Sequence, residues 1–313
     1  MGKLTLKSDM LLFLTSFIWG FGFVAQRVGM DYVGPFTFNG IRFALGSLIL
    51  IPLVLFGKKP NAALYSLQPI FSFKMKTISC GVAGLALFAA ASFQQMGLVY
   101  TTAGNAGFIT GLYVVIVPIL GLTFRQHTNV GTWIGTFFAA GGLYLLCVTE
   151  KLTVSLGDFL VLVSAFLWAV HVLIIGWLSP KIESLKLACI QFAVCSVLSL
   201  IAAVIAEIIT LQSIYHAAIP ILYGGLLSVG IAYTLQVVAQ KNTHPAHAAI
   251  LLSLEAVFAA TGGWLILDET FSTRGILGCT LMLSGMLLSQ LWGMLLESRF
   301  LINQNNLDSP LRK

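Results

Sequence analysis

The chain has 313 residues, of which 58% are hydrophobic and 9% are charged. Soluble domains carry about 25% charged residues, so this composition excludes a globule dissolved in water. The formal net charge of +6 would suit an acidic partner such as a nucleic acid. The basic residues, however, stand mostly in the short segments between apolar runs, which indicates a membrane protein with no nucleic-acid partner.

Ten apolar runs follow one another along the chain, each close to the roughly 20 residues that cross about 30 Å of hydrocarbon. We interpret the first as an uncleaved helix rather than a signal peptide, because no small-residue cleavage site follows it. The ten predicted spans are 10–28, 36–56, 77–98, 105–124, 130–149, 155–178, 187–209, 218–240, 247–267 and 275–296.

Lysine and arginine lie mostly on one side of these spans. If the N-terminus is cytoplasmic, Arg27, Lys151 and Arg274 lie outside, Arg42 falls within a span, and the other basic residues lie inside. The positive-inside rule therefore predicts cytoplasmic termini in a multi-pass protein of the cell inner (cytoplasmic) membrane, with the lipid bilayer as its partner. The five cysteines lie in apolar spans without a Cys-x-x-Cys pair, so we predict no disulfide, no metal site and no cofactor.

The sequence repeats itself once. Residues 9–19 return as residues 158–168, and this alignment pairs Trp19 with Trp168. Each copy holds five spans, an odd number, so the second copy enters the membrane from the opposite side. We predict an all-α integral membrane fold of ten transmembrane helices in two inverted five-helix repeats, typical of secondary transporters with a site near the membrane midplane. The predicted units are residues 1–150, residues 151–300 and a polar tail at 301–313.

Several segments of both copies resemble the drug/metabolite transporter superfamily, and specifically its ten-helix EamA-like branch. The likeness covers about 9–296 and includes the Trp-containing first helix of each copy. The other segments are Asn39-Gly40-Ile41-Arg42-Phe43, Tyr100-Thr101-Thr102-Ala103-Gly104-Asn105-Ala106-Gly107-Phe108, Gly111-Leu112-Tyr113-Val114-Val115, Thr243-His244-Pro245-Ala246-His247-Ala248-Ala249 and Ser253-Leu254-Glu255-Ala256-Val257-Phe258-Ala259.

The resemblance implies that the third, fourth, eighth and ninth helices surround a central cavity. It also implies that the first, second, sixth and seventh helices move, and that the fifth and tenth lie at the periphery. Members move amino acids, nucleotide sugars, vitamins, nucleoside derivatives and other metabolites. The family often has an acidic residue at the end of both the fourth and the ninth helix. Here the ninth ends in Asp268-Glu269 but the fourth in Arg125-Gln126, so we expect two gates that differ chemically.

Arg42 and Glu255 are charged residues at membrane depth. At 1.5 Å per residue, Arg42 lies about 10 Å and Glu255 about 13 Å from the start of its span. A charge at such depth costs about 2.5–3.5 kcal/mol on insertion scales and should face protein or water. Each is interpreted either as a substrate clamp or coupling site, or as a structural group. Asn39 shares a helical face with Arg42 and is expected to support it.

Trp19 and Trp168 each lie about 15 Å deep, away from the interfacial belts that tryptophan prefers. They either stack on a flat or cationic ligand or pack between helices. His171 shares the face of Trp168 and either relays protons or is a satisfied core histidine.

Neutral polar side chains at depth complete the candidate binding set, and each would either contact a polar ligand or bond between helices. Gln95 and Gln236 are repeat partners at an offset of 141 residues, shorter than the initial 149 because the loop 57–75 exceeds its counterpart 210–217. The neutral candidates are the amides of Gln94, Gln95, Asn105 and Gln236 and the hydroxyls of Tyr113 and Ser253.

Hydrolytic motifs and phosphate-binding loops are absent from the sequence, so we expect no catalytic residues and no enzyme. We predict a secondary transporter of small polar metabolites, namely amino acids or related compounds, that works by alternating access, with export as the predicted direction. The proton is the candidate coupling ion and would act through Glu255. The sequence leaves open whether the protein forms a homodimer. The alternatives are an importer or exchanger of nucleotide-like or vitamin-like substrates and a non-transporting membrane scaffold.

Overall fold

The computed structural model describes residues 3–56, 73–123, 130–147, 155–243, 245–281, 283–285, 287–288 and 292. Within these residues every regular element is helical, and eight helical segments are long and apolar enough to cross a membrane. The prediction of an all-helical, multi-pass membrane protein is therefore confirmed, whereas the count of ten spans stays a prediction. Four predicted features lie outside the described residues: the Arg125-Gln126 end of the fourth span, the boundary near residue 150, the tail at 301–313 and most of the loop 57–75.

The helices begin and end within a few residues of most predicted spans. A π-helix, Tyr223–Tyr233, joins α10 to α11, and residues 273–281 are helical at the start of the predicted tenth span. In chain order the helices are α1 (Lys3–Gly29), α2 (Pro35–Phe56), α3 (Phe73–Gly97), α4 (Ala103–Gly111), α5 (Tyr113–Thr123), α6 (Val130–Cys147), α7 (Leu156–Leu178), α8 (Ser184–Ala206), α9 (Leu211–His216), α10 (Ala218–Leu222), α11 (Thr234–Gln240), α12 (Pro245–Leu252) and α13 (Glu255–Leu267).

Contacts between helix ends define two faces of the bundle. At one face, the carboxylate of Glu207, just after α8, accepts hydrogen bonds from the first backbone N–H groups of α2. The start of α4 and the start of α7 lie at this same end, which we call the Glu207 face. At the opposite end, Asp9 of α1 contacts His247 of α12 at 2.8 Å. We call this end the Asp9 face.

Two membrane-crossing segments are interrupted near their middle. α4 gives way to α5 at Leu112, and α12 gives way to α13 at residues 253–254. Both breaks tighten the hydrogen-bond ladder: the N–H of Leu112 donates to the Ile109 carbonyl at 3.2 Å, and that of Leu254 to the Leu251 carbonyl at 3.3 Å. The breaks are related by the offset of 141 residues that pairs Gln95 with Gln236. Interrupted helices at mid-depth are where transporters commonly build their binding sites.

Close packing around α13 depends on glycine in its neighbours. A Cβ atom at Gly20 of α1 would overlap the Cβ of Phe258 and lie 2.8 Å from the Glu255 carbonyl oxygen. A Cβ at Gly107 of α4 would overlap the Cβ of Ala259. Small residues let helix backbones approach closely in membranes, where lipid offers no hydrophobic drive for association. The two glycines therefore hold α13, and with it Glu255, between α1 and α4.

Substituting Gly20→Ala is expected to destabilise the protein by about 1–3 kcal/mol, because the added methyl group forces α1 away from α13. Gly81→Ala is the matched control, since a Cβ at Gly81 would have no heavy atom within 4 Å. It should leave stability unchanged or raise it by up to about 1 kcal/mol through helix propensity. Thermal unfolding in detergent measures both, and equal stabilities of the two variants would contradict the packing.

Candidate functional site

A central cavity opens where the two halves of the chain meet at mid-depth. Its volume in this state is about 20 Å³, enough for a water molecule. The first half of the chain contributes Trp19, Phe23, Gln26, Gln94, Thr110 and Tyr113, and the second half contributes Trp168, Val172, Ser228, Tyr233, Gln236, Leu252 and Glu255.

Glu255 is the one charged residue in this lining, among the residues that the structure describes. It is the first residue of α13, directly after the break in that span, and is 3% exposed. The hydroxyl of Tyr113, the first residue of α5 after the other break, lies beside it without meeting the geometry of a hydrogen bond. The two breaks thus bring an acid and a phenol together at the cavity wall.

Three aromatic rings form the adjoining wall. The Tyr233 ring lies 4.4 Å from that of Trp19 and 5.8 Å from that of Trp168, measured between centroids, and is nearly parallel to the Trp168 ring at 27°. Tyr233 is the last residue of the π-helix, a rare form that is frequent at functional sites. The faces of such rings attract cations and stack on flat groups.

A chain of hydrogen bonds starts at the Trp168 ring and joins the two halves. The indole N–H of Trp168 donates to Gln94 Oε1 at 2.6 Å, and Gln94 Nε2 donates to Gln26 Oε1 at 3.0 Å. Gln95 Nε2 donates to the Gln26 carbonyl at 3.1 Å. On the other side of the cavity, Trp19 donates its indole N–H to the Ser228 carbonyl at 3.3 Å. Both tryptophans are therefore held by hydrogen bonds as well as by packing.

Three polar atoms of the lining have no hydrogen-bond partner within the described part of the chain. They are the Thr110 hydroxyl, the Tyr113 hydroxyl and Gln236 Oε1. A buried polar atom without a partner costs free energy, and most such atoms in folded proteins are satisfied by protein, water or ligand. Together with the Glu255 carboxylate, they offer donors and acceptors to a small polar molecule.

The structure places the sequence-predicted residues in three groups, and their binding roles stay predictions. Those in the cavity lining are Trp19, Gln94, Tyr113, Trp168, Gln236 and Glu255. Those buried behind it are Gln95, His171, whose Nε2 lies 3.0 Å from Gln191 Oε1, and Ser253, whose hydroxyl donates to the Ile250 carbonyl at 2.7 Å. Asn105 lies in the first turn of α4, near the Glu207 face.

Arg42 and its predicted support lie next to the cavity wall but outside the lining. Arg42 is 1% exposed, and its Nε donates to Asn39 Oδ1 at 3.0 Å. Asn39 Nδ2 in turn donates to the Ala91 carbonyl at 3.1 Å. Asn39 thus contacts Arg42 within α2 and also links α2 to the backbone of α3, while its supporting role stays a prediction.

Sequence reasoning missed several residues of the lining. Gln26 could have been found, since it lies seven residues after Trp19 and so on the same face of α1. Tyr233 could also have been found, three residues before Gln236. The remaining missed residues are Phe23, Thr110, Val172, Ser228 and Leu252, whose side chains carry no distinguishing signal among similar residues in other spans.

Three carboxylates of the second half of the chain close the Glu207 face against the first half. Glu207 accepts from the backbone N–H groups of Phe36 and Thr37 at 2.7 and 2.8 Å. Glu269 accepts from the N–H groups of Ala103 and Gly104 at 2.7 and 2.9 Å. Both bind the positive end of a helix dipole. The third carboxylate, Asp158, accepts from the Thr101 hydroxyl at 2.6 Å.

A multi-pass helical bundle with a polar cavity at interrupted helices defines the class of this protein as a membrane transporter. Comparison with known families supports that class and narrows it. The EamA-like transporter family profile matches residues 6–148 and 155–291. The chain belongs to the EamA-like transporter family, as the sequence resemblance predicted.

Individual relatives carry names of the same kind. An uncharacterized transporter of Archaeoglobus fulgidus is 29% identical over 293 residues, covering 93% of this chain and 88% of its own. The uncharacterized inner membrane transporter YedA of Escherichia coli is 26% identical over 278 residues, covering 83% of each chain. A solved crystal structure superimposes with a TM-score of 0.70 at 16% identity, over 93% of this chain and 98% of its own. That likeness supports the fold.

Proposed function

We propose that this protein is a secondary transporter that exports small polar metabolites, amino acids or related compounds, across the cytoplasmic membrane by alternating access. The observation that carries the proposal is the central cavity. Both halves of the chain line it, one carboxylate faces it, and three of its polar atoms lack partners among the described residues. The lining offers a carboxylate to an amino group and further donors and acceptors to the rest of a small ligand.

The directions of equivalent helices support two inverted repeats. α1 begins at the Asp9 face, where Asp9 contacts His247 near the start of α12. α7, the repeat partner of α1, begins at the Glu207 face, where Asp158 contacts Thr101 just before α4. The two aspartates are sequence equivalents, and each binds the opposite half of the chain at the opposite face. Inverted repeats of this kind supply the two related states that alternating access requires.

Among the described residues, both faces carry contacts between the two halves, which supports a mechanism in which one face opens while the other stays shut. Glu207, Glu269 and Asp158 all cross between the halves at the Glu207 face. The Asp9–His247 contact joins the halves at the Asp9 face. On the positive-inside orientation, the Glu207 face is the outer one, and a ligand from the cytoplasm would enter past Asp9 and His247.

Glu255 supplies a mechanism for coupling. A carboxylate that binds either a proton or the amino group of the substrate exchanges one for the other, so an inward proton gradient would drive export. The cavity offers no second charged group for this role within the described residues. Glu255 therefore holds the coupling role in this proposal, with Tyr113 beside it.

Flux measurement in proteoliposomes tests the function. The purified protein is expected to exchange a radiolabelled amino acid across the membrane, with external unlabelled amino acid driving counterflow. Liposomes containing a denatured sample serve as the control for leakage. Saturable binding without flux for every amino acid tested would instead support the non-transporting scaffold.

A planar, vitamin-like substrate is the second candidate, because the rings of Trp19, Trp168 and Tyr233 form a continuous aromatic wall. A nucleotide fits less well, since no basic side chain is present in the described lining to bind its phosphates. The same flux assay with riboflavin and thiamine in place of amino acids separates the two candidates.

A further inference from the structure

Arg42 is a buried cation whose guanidinium is only partly satisfied. Its Nε donates to Asn39 Oδ1, but its Nη2 has no hydrogen-bond partner within the described part of the chain. The guanidinium carbon lies 4.9 Å from the ring centroid of Phe43 and 5.5 Å from that of Phe38. Two aromatic faces and one amide thus surround a full positive charge that is 1% exposed.

An anionic partner for Arg42 is missing from the described residues, where the ion pairs involve other side chains. Burying a cation without a counter-charge is costly in protein and in lipid. Cation–π contacts and one hydrogen bond recover part of that cost. A protein that needed Arg42 for packing alone would be more stable with a neutral residue, so the free Nη2 indicates a site for an anion that arrives from elsewhere.

Tyr233 stands between Arg42 and the cavity. Its ring lines the cavity and lies 5.9 Å from the ring of Phe43, the same ring that the Arg42 guanidinium covers. Glu255 lines the same cavity as Tyr233. The Tyr233 side chain therefore lies between the Arg42 guanidinium and the cavity that the Glu255 carboxylate faces.

The backbone that leads to Tyr233 has an unusual helical form. Tyr233 ends the 11-residue π-helix, and Gly224 in that helix packs against the stem of Arg42, where an added Cβ would lie 3.2 Å from Arg42 Cδ. A π-helix, with its i→i+5 hydrogen bonds, is rare and frequently lies at a functional site. A small rotation of this segment would move the Tyr233 ring and open the cavity toward Arg42.

We propose that Arg42 is the anion-binding end of a zwitterion site, with Glu255 as its cation-binding end and Tyr233 as the barrier that moves when the substrate enters. The inference rests on the proposed function and specifies its substrate class: an amino acid long enough to span the Tyr233 side chain, whose carboxylate reaches Arg42 and whose amino group at the far end reaches Glu255. An amine without the carboxylate leaves Arg42 unpaired, and a carboxylic acid without the amine leaves Glu255 unpaired. A site that is built to hydrogen-bond a polar group of its substrate rejects analogues that lack this group, and the rejection is strong.

Binding measurements with matched ligands test this assignment. The twenty common L-amino acids and the amines formed by removing their carboxylates are titrated against wild-type protein in detergent, with thermal unfolding as the readout. At least one amino acid is expected to bind, and its amine to bind at least about tenfold more weakly. In Arg42→Gln the amino acid should lose at least about tenfold in affinity while the amine changes less than about threefold. Arg42→Lys should recover part of the loss.

Lys186→Gln is the matched control, since Lys186 is half exposed and pairs with Glu183 on the surface. Its ligand affinities should equal those of the wild type.

Amine binding to Arg42→Gln also reports that this variant is folded. The inference is overturned if no amino acid binds, if amine and amino acid bind the wild type equally, or if Arg42→Gln weakens both alike. Flux of an amine without flux of any amino acid would support the transport function and contradict the zwitterion site. Binding of an amino acid without flux would support the zwitterion site and contradict the transport function.

Discussion

Glu255→Gln is expected to abolish transport driven by a pH gradient while leaving substrate counterflow intact at saturating concentration. The amide cannot take up and release a proton, so the pH gradient can no longer drive transport. Losing a charge-assisted hydrogen bond costs about 1.5–3 kcal/mol, which corresponds to about ten- to a hundredfold in apparent substrate affinity. Proteoliposomes with an imposed pH step measure the first property, and counterflow at equal pH measures the second.

The control for Glu255→Gln is Glu183→Gln, which removes a carboxylate from the Lys186 pair near the start of α8. Both pH-driven flux and counterflow should match the wild type there. Unchanged pH dependence in Glu255→Gln would rule out the coupling role. Loss of counterflow at every substrate concentration would show instead that Glu255 is needed for binding or folding alone.

The double substitution Glu207→Gln and Glu269→Gln is expected to open the Glu207 face. Each carboxylate accepts two backbone hydrogen bonds at a helix start, and Glu207 also accepts from the Thr37 hydroxyl at 2.7 Å. A glutamine offers one neutral acceptor in place of two charged ones. Charge-assisted hydrogen bonds contribute about 1.5–3 kcal/mol each, so the lost contacts should raise the open population at least about tenfold.

Cysteine alkylation measures that opening. Thr110 lines the cavity and is 2% exposed, so Thr110→Cys in a background without native cysteines reports access. A membrane-impermeant maleimide applied from the Glu207 side should react at least about tenfold faster in the double variant. Glu183→Gln again provides the control. Equal rates in all three proteins would show that Glu207 and Glu269 cap their helices without holding the face shut.

Hydropathy and self-similarity were enough to predict much of this molecule. Apolar runs long enough for a bilayer become helices whatever their exact packing, so α2, α7 and α8 begin and end close to the predicted spans. The equivalent tryptophans, Trp19 and Trp168, stood out because their depth is unusual for that residue, and both line the cavity. The family assignment followed from motifs in both copies, and the comparison with known families confirmed it.

Features that arise from contacts between distant segments could not be predicted. An α-helix and a π-helix have the same hydropathy, so the sequence did not indicate the Tyr223–Tyr233 segment or the placing of Tyr233 between Arg42 and Glu255. The role of Glu207 could not be predicted either, because its partners at the start of α2 are about 170 residues away. The depth of Arg42 in the membrane, inferred from its position in the span, made it a candidate for the substrate site. In the structure it lies behind the aromatic wall of the cavity.

In the proposed mechanism, the Glu207 face and the Asp9 face open in turn around one cavity. Spin-label pairs at Tyr100→Cys with Leu211→Cys, and at Lys7→Cys with Asn242→Cys, report the width of the two faces in lipid nanodiscs. When a transported substrate is added or the pH is changed, one distance is expected to lengthen as the other shortens. Two distances that both stay fixed, or that lengthen together, would contradict alternating access in this protein.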